Sequence, residues 1–171
     1  MVIVEKILSH GKSFPDKIAV QNKKEQKTYA KLCSDIRRIA TKLEELGVKK
    51  QQYVLVVADN SYGYICTYFA IHLVGATSVS LATDVDDAQR ALIIEKITPN
   101  FIIEDCSTFI DDLSLYPEIK DYFVESESVS EIVFTSGTTG DVKGVQLTHA
   151  GIESATKHII SQVKNNSTDV E

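Results

Sequence analysis

Two hydrophobic periods alternate along this chain, and each change of period marks an expected element. Val2, Ile3, Ile7 and Leu8 share one side of a short helix, with Gly11 expected to end it. Pro15-Asp16 turns the chain into a brief strand at Ile18-Ala19-Val20. Lys27-Thr28-Tyr29 then returns as the second arm of a hairpin. From there the period lengthens. Leu32, Ile36, Ile39, Leu43 and Leu46 recur at spacings of 4, 3, 4 and 3, a one-sided helical stripe that stops at Gly47. Tyr53–Val57 is a continuous apolar run rich in valine, the mark of a strand buried on both faces. Asp59, Asn60 and Ser61 offer capping oxygens to a buried helix from Tyr62 to Val74, closed by Gly75.

A short strand at Thr77–Leu81 follows. The next helix runs to Lys96 and starts with Asp84, Asp86 and Asp87, where the helix dipole favours negative charge. Phe101–Ile103, Ile132–Phe134 and Val145–Leu147 read as further strands, and Gly151–Val163 as a last helix. Asp105–Ser130 is polar and irregular, a loop region expected to hold one strand near Tyr122–Val124. Apolar strands alternating with helices predict an α/β fold with a mainly parallel sheet flanked by helices. Tyr53–Val57, Phe101–Ile103 and Ile132–Phe134 belong to one sheet in that reading, with the Leu32–Leu46 helix packed on it.

A length of 171 residues suits one ordinary domain. With 43% apolar and 25% charged residues, wholesale disorder, collagen and coiled coil are excluded. Lys+Arg 18 against Asp+Glu 24 leaves a net charge of −6. Binding to nucleic-acid backbones calls for the opposite sign, so no nucleic-acid partner is expected. Cys33, Cys66 and Cys106 are odd in number, far apart and never in a Cys-x-x-Cys pair, which suits reduced thiols rather than a disulfide framework or a zinc site. The N-terminal apolar run is broken at once by Glu5 and Lys6, unlike a signal peptide. The longest apolar stretch, Tyr62–Ala76, contains His72 and falls short of a membrane span. The expected location is cytoplasmic.

One segment does not read as packing. Thr135, Ser136, Gly137, Thr138, Thr139 and Gly140 are all glycine or hydroxyl-bearing, directly after an apolar strand and three residues before Lys143 and Gly144. Glycine lets the backbone curl so that several N–H groups point into one concavity, which suits phosphate oxygens. Hydroxyls add donors, and Lys143 adds a positive charge; each charge-assisted bond of this kind is worth about 1.5–3 kcal/mol. A flexible Ser/Thr/Gly linker is the plainer alternative, but linkers seldom sit between two apolar strands with a lysine at the exit. The Walker phosphate loop does not fit. Val142 stands where that motif needs glycine, and Gly144 where it needs a hydroxyl.

Ser136–Val145 resembles the S-G-T-T-G-x-P-K-G-V signature of the adenylate-forming (AMP-binding) enzymes, and Leu147-Thr148-His149 follows in the family manner. This family includes acyl-CoA synthetases, luciferases and the adenylation domains of nonribosomal peptide synthetases. Lys27–Leu32 is similar to its T-Y-x-x-L element, and Asn60–Ala76 to its N-S-x-E-Y helix ending in A-G-A. The resemblance implies an ATP-dependent ligase that, with Mg2+, turns a carboxylate into an acyl-adenylate and then a thioester. The acceptor is CoA or a phosphopantetheine carrier protein. Thr135–Gly140, Lys143 and Gly144 are then the ATP phosphate-binding residues.

Three positions depart from the pattern: Val142 replaces a proline, Gly63 a glutamate, and Ser80 a strand-breaking proline. Loss of the proline's fixed φ is expected to leave the loop loosely held. The resemblance also implies that residues 1–171 are a single partial domain, the N-terminal portion of the AMP-binding domain. The family's magnesium-holding acid, adenine-stacking aromatic, ribose aspartate, hinge and catalytic lysine would lie downstream, so the chain alone holds no complete catalytic set and no metal site. The alternative is a complete but catalytically dead interaction module that docks on a synthetase or carrier protein; the gene beyond residue 171 discriminates the two.

The remaining chemistry-bearing residues have plainer readings. His149 suits either a helix cap or a functional histidine, His72 a hydrogen-bonded core position, and His10 and His158 the surface. Asp84, Asp86 and Asp87 lack the glycine and later glutamate of an EF-hand and read as a solvated helix start.

Overall fold

The longest helix shows how the apolar stripe becomes architecture. In the computed structural model, which describes residues 2–23, 25–120, 122–136 and 142–163, α2 spans Tyr29–Glu45. It buries Leu32, Ile36, Ile39 and Leu43 on one face. Thr28 caps its start by accepting from the Lys31 amide. Its end is set by Gly47 at φ +89. The Gly47 amide bonds back to Glu44 and the Val48 amide to Leu43, the pairing that a left-handed residue after the helix allows. The next major helix repeats the device.

That helix, α3 (Tyr62–Leu73), is capped by Ser61 at the Tyr64 amide and closes through Gly75 at φ +74, with Gly75 bonding to His72 and Ala76 to Ile71. Before α2 come α1 (Ile3–Ser13) and an antiparallel hairpin of β1 (Ile18–Gln21) and β2 (Gln26–Thr28). β3 (Tyr53–Val57) lies between α2 and α3. After α3 follow β4 (Thr77–Leu81), α4 (Asp87–Ile97), β5 (Phe101–Ile103), the short α5 (Cys106–Phe109) and a 3-10 turn at Leu113–Leu115. β6 (Val129–Ser136), β7 (Val142–Thr148) and α6 (His149–Val163) complete the described elements.

The strands make a five-stranded sheet in the order β5-β3-β4-β6-β7. All neighbours run parallel except β6 and β7, an antiparallel pair. β3 is buried on both faces, as its continuous apolar run requires. Val54 and Val56 join the core under α1, α2 and α3, whereas Leu55 and Val57 join a second core under α4 with Val79, Ile93 and Ile132. The expected fold class and common sheet are therefore present, with one antiparallel strand added at the edge.

Three expectations need correction. Tyr122–Val124 is not a strand. Only Val124 is buried there, while Phe123 is 67% exposed. The preceding segment is held by α2 side chains instead: Arg37 donates to the Ile119 carbonyl at 2.7 Å, and Thr41 to the Pro117 carbonyl at 2.7 Å. Gly11 does not end α1, which continues to Ser13. A Cβ there would meet the Cys33 sulfur at 2.4 Å, so the glycine serves the contact between α1 and α2. His10 is half-buried rather than a surface residue, packed at an angle against Phe14 and Tyr29 at 4.8 and 4.6 Å between ring centres.

Candidate functional site

The β6–β7 hairpin positions the candidate phosphate loop. β6 runs parallel to β4, so Ser136 leaves the sheet at the edge where β3, β4 and β5 also end. Ligands of open α/β sheets gather in the crevice outside the carboxyl ends of the strands. Thr135 pairs with Lys143 across the ladder, and Ser136 with Val142, closing the hairpin onto the residues between them. Thr135 and Lys143 are both exposed and lie on one face of the hairpin. Gly137, Thr138, Thr139 and Gly140 lie outside the described residues, and so does the expected looseness of the loop.

Gly144 also has a packing task. It pairs with Phe134, and a Cβ on it would lie 3.1 Å from the Phe134 ring and 3.1 Å from Ile132. A bare backbone here lets the ring lie across β7. Val142, at the position of the family proline, is 5% exposed and seals the core under α4. Its carbonyl accepts from Lys96 of α4 at 2.5 Å. The departure thus supplies apolar packing at the exit of the loop. Ser80, the other lost proline, pairs with Val56 inside the parallel ladder.

The acidic start of α4 is structural. Asp86 accepts from the amides of Ala88 and Gln89, the ordinary work of a helix cap. Among the described residues, no group of three or more His, Cys, Asp or Glu side chains could hold a metal ion. His158 is exposed, whereas His72 and His149 are buried side by side at 4% exposure each, far along β7 from the loop. Burial, with a smaller contribution from His149, pushes the His72 ring down to about 3.

Sequence reasoning missed the polar centre at the other side of the α2–α3 contact. Asp35, 2% exposed, accepts from Lys31 at 2.6 Å and from the Tyr62 hydroxyl at 2.7 Å. Burial above all, then the Cys66 and Asp35 neighbours, raises the Tyr62 phenol; burial pushes the Cys66 thiol up to about 12. A groove of about 540 Å3 opens beside this network, between Lys27, Lys31, Tyr62, Ser107 and Leu113. The available signal was Asp35 itself, a carboxylate placed inside the apolar stripe between Leu32 and Ile36. A buried acid on such a stripe demands partners.

The described fold is thus an α/β sheet, mostly parallel, with Thr135 and Lys143 paired at its carboxyl edge. The chain is a member of the AMP-binding enzyme family, whose pattern matches residues 8–170. Among curated relatives, bacitracin synthase 1 of Bacillus licheniformis is 32% identical over 145 residues, covering 83% of this chain and 3% of that protein. D-alanine–D-alanyl carrier protein ligase of Staphylococcus haemolyticus is 26% identical over 176 residues, covering 93% of this chain and 34% of the ligase. The o-succinylbenzoate CoA synthetase of Bacillus subtilis, solved with its acyl-adenylate intermediate, superposes with a TM-score of 0.86 at 19% identity. That match covers 99% of this chain and 48% of the synthetase. VinN, solved with L-aspartate, gives 0.87 at 18% identity over 97% of this chain and 53% of its own. The chain thus spans about half the length of these solved proteins and about a third or far less of these curated relatives. No helix of the described residues is long and apolar enough to cross a membrane.

Proposed function

We propose that residues 1–171 are the N-terminal portion of the AMP-binding domain of a carboxylate-activating ligase, and that they carry its grip on the ATP phosphates. In the complete reaction a substrate carboxylate oxygen attacks the α-phosphate of ATP. An acyl-adenylate forms and pyrophosphate leaves. The acyl group then passes to a thiol of CoA or of a phosphopantetheine carrier protein, with AMP as the leaving group. The role of Thr135–Lys143 is electrostatic: its donors and the Lys143 ammonium hold the β- and γ-phosphates while charge builds on the departing pyrophosphate. Mg2+ accompanies ATP in this class. The described residues offer no ligand set for it.

The observation that carries the reading is the pairing of Thr135 with Lys143 on one face at the carboxyl edge of the sheet. Family membership and the carrier-protein ligase among the relatives support the reaction type. The test is titration of the purified chain with pyrophosphate by calorimetry. Binding is expected to be weak and salt-sensitive, and Lys143→Ala is expected to weaken it by about 1.5–3 kcal/mol. Carboxylate-dependent exchange of pyrophosphate into ATP should be absent, because a partial site forfeits positioning worth about 7–11 kcal/mol. Pyrophosphate binding indifferent to both salt and Lys143→Ala would refute the assignment.

A further inference from the structure

Among the described residues β7 is the last strand of the five-stranded sheet, and no strand pairs with its outer edge. It spans seven residues, Val142–Thr148, and the four from Lys143 to Gln146 are all exposed. The opposite edge is guarded by brevity, since β5 has only three residues. Sheet edges are usually blunted by short strands, bulges, prolines or charges. β7 has little of this protection. It pairs with β6 through six successive rungs, from Glu131–Leu147 to Ser136–Val142, and the register shifts only beyond them, between Val129 and Glu131. It holds no proline and a single charge, Lys143.

The surface beside this edge is apolar. Val133 and Val145 pair across the hairpin and are 39% and 48% exposed. Ile132 and Phe134 join the core under α4, so Val133 and Val145 lie on the other face of the sheet. The strand also matches itself under a two-fold axis at Val145. Antiparallel pairing there sets Val145 against Val145 of a second copy, Gly144 against Gln146 and Lys143 against Leu147. Four adjacent strands then carry a row of valines, Val133 and Val145 from each copy, about 4.8 Å from strand to strand. The two Lys143 side chains stay about 13 Å apart along the strands, so the one charge on β7 does not oppose itself.

We propose that the outer edge of β7 is an interaction surface for a second copy of this chain. Lys143–Leu147 of each copy pair antiparallel about Val145, joining two five-stranded sheets into one. Backbone N–H and C=O groups supply the attraction, as in any added strand. The side chains fix the register. A slip of one residue would put the two Val145 side chains on opposite faces, and a slip of two would set Lys143 against Val145. The contact is isologous and closed, because each copy uses its one long edge and assembly stops at two. The surface adjoins the phosphate loop without including it, and the proposal does not depend on the ligase reading.

Sedimentation of the purified chain from micromolar to near-millimolar concentration should show reversible conversion from 18.9 kDa to twice that mass. Amide exchange in β7 should slow as the concentration rises, while exchange in β3 stays unchanged. Val145→Lys and Val145→Glu each set like charges across the axis and should weaken association about tenfold or more. Both should keep the parent's circular dichroism, since Val145 is exposed. An equimolar mixture of the two variants should recover the dimer, because the axis then joins lysine to glutamate. Any of four results overturns the proposal. The first is a chain monomeric throughout the range, which would leave the edge to a strand of a different polypeptide. The others are β7 exchange indifferent to concentration, a dimer that survives both substitutions, and no recovery on mixing.

Discussion

Restoring a side chain at Gly63 should destabilise the protein, although alanine is the better helix former. Gly63 is the second residue of α3, and an ideal Cβ there would lie 2.5 Å from the carbonyl oxygen of Cys106 and 3.0 Å from its carbonyl carbon. The obstacle is backbone, so no rotamer change relieves it. That backbone is also pinned, because Asp105 caps α5 at the Ser107 amide and Cys106 is 1% exposed. Overpacking of this kind costs about 1–3 kcal/mol, whereas replacing glycine by alanine gains at most about 1 kcal/mol inside a helix and less in its first turn. The expected net loss for Gly63→Ala is about 1–2 kcal/mol, or a fall of about 2–8 °C in thermal midpoint for a chain of this size. Glutamate, the residue usual in the family, should cost more. Urea denaturation followed by circular dichroism measures the change, and amide exchange at Cys106–Phe109 should quicken with it. A Gly63→Ala variant as stable as the parent, with an unchanged denaturant slope, would refute the steric argument.

Three further outcomes are expected. Gly47→Ala meets nothing within 4 Å, so its cost is conformational alone; at φ +89 it should lose about 1–2 kcal/mol in the same denaturation assay. His72 is held neutral by burial, its folded value near 3 lying below the ordinary 6.5. The unfolded chain therefore takes up the proton first, and stability should fall progressively as the pH drops from 6.5 towards 3; a pH series of melts on parent and His72→Phe, the variant showing the shallower fall, checks this. Lys6 and Lys157 hold the Glu153 carboxyl down to about 2 from 4.5, so this tie between α1 and α6 should persist above pH 4.5 and be lost as the pH falls towards 2. Carboxyl titration by NMR should show the Glu153 midpoint rise in Lys6→Ala.

Much of the fold was legible because its signals are local or periodic. The Leu32–Leu43 stripe, the glycines that stop α2 and α3, and the doubly buried β3 each follow from short-range rules acting on neighbouring residues. What escaped was settled by contacts distant in sequence. Tyr122–Val124 has strand-forming composition, but Arg37 and Thr41 of α2 capture the preceding carbonyls, and the segment joins no sheet. Gly11 reads as a helix stop unless Cys33 is known to lie against it. At the candidate site, Thr135 and Lys143 were named from the motif alone, and their pairing across the hairpin is a property of the ladder. Gly144 was named for phosphate, and the register shows a second reason for it in the Phe134 ring. The convergence of His72 and His149 joins residues 77 positions apart and left no trace in any spacing.

The ladder between β6 and β7 also bears on the thermodynamics of anion capture. Its last described pair, Ser136 with Val142, brings together the two ends of a five-residue segment, and Lys96 fastens the exit strand to α4. The entropy of closing that ring is surrendered when the sheet forms, well before any nucleotide arrives. A loop tethered at one end only would incur that loss during binding, as a weaker association constant. Folding stability and phosphate affinity are therefore coupled through the hairpin: whatever loosens its rungs returns part of the closure entropy to the binding step.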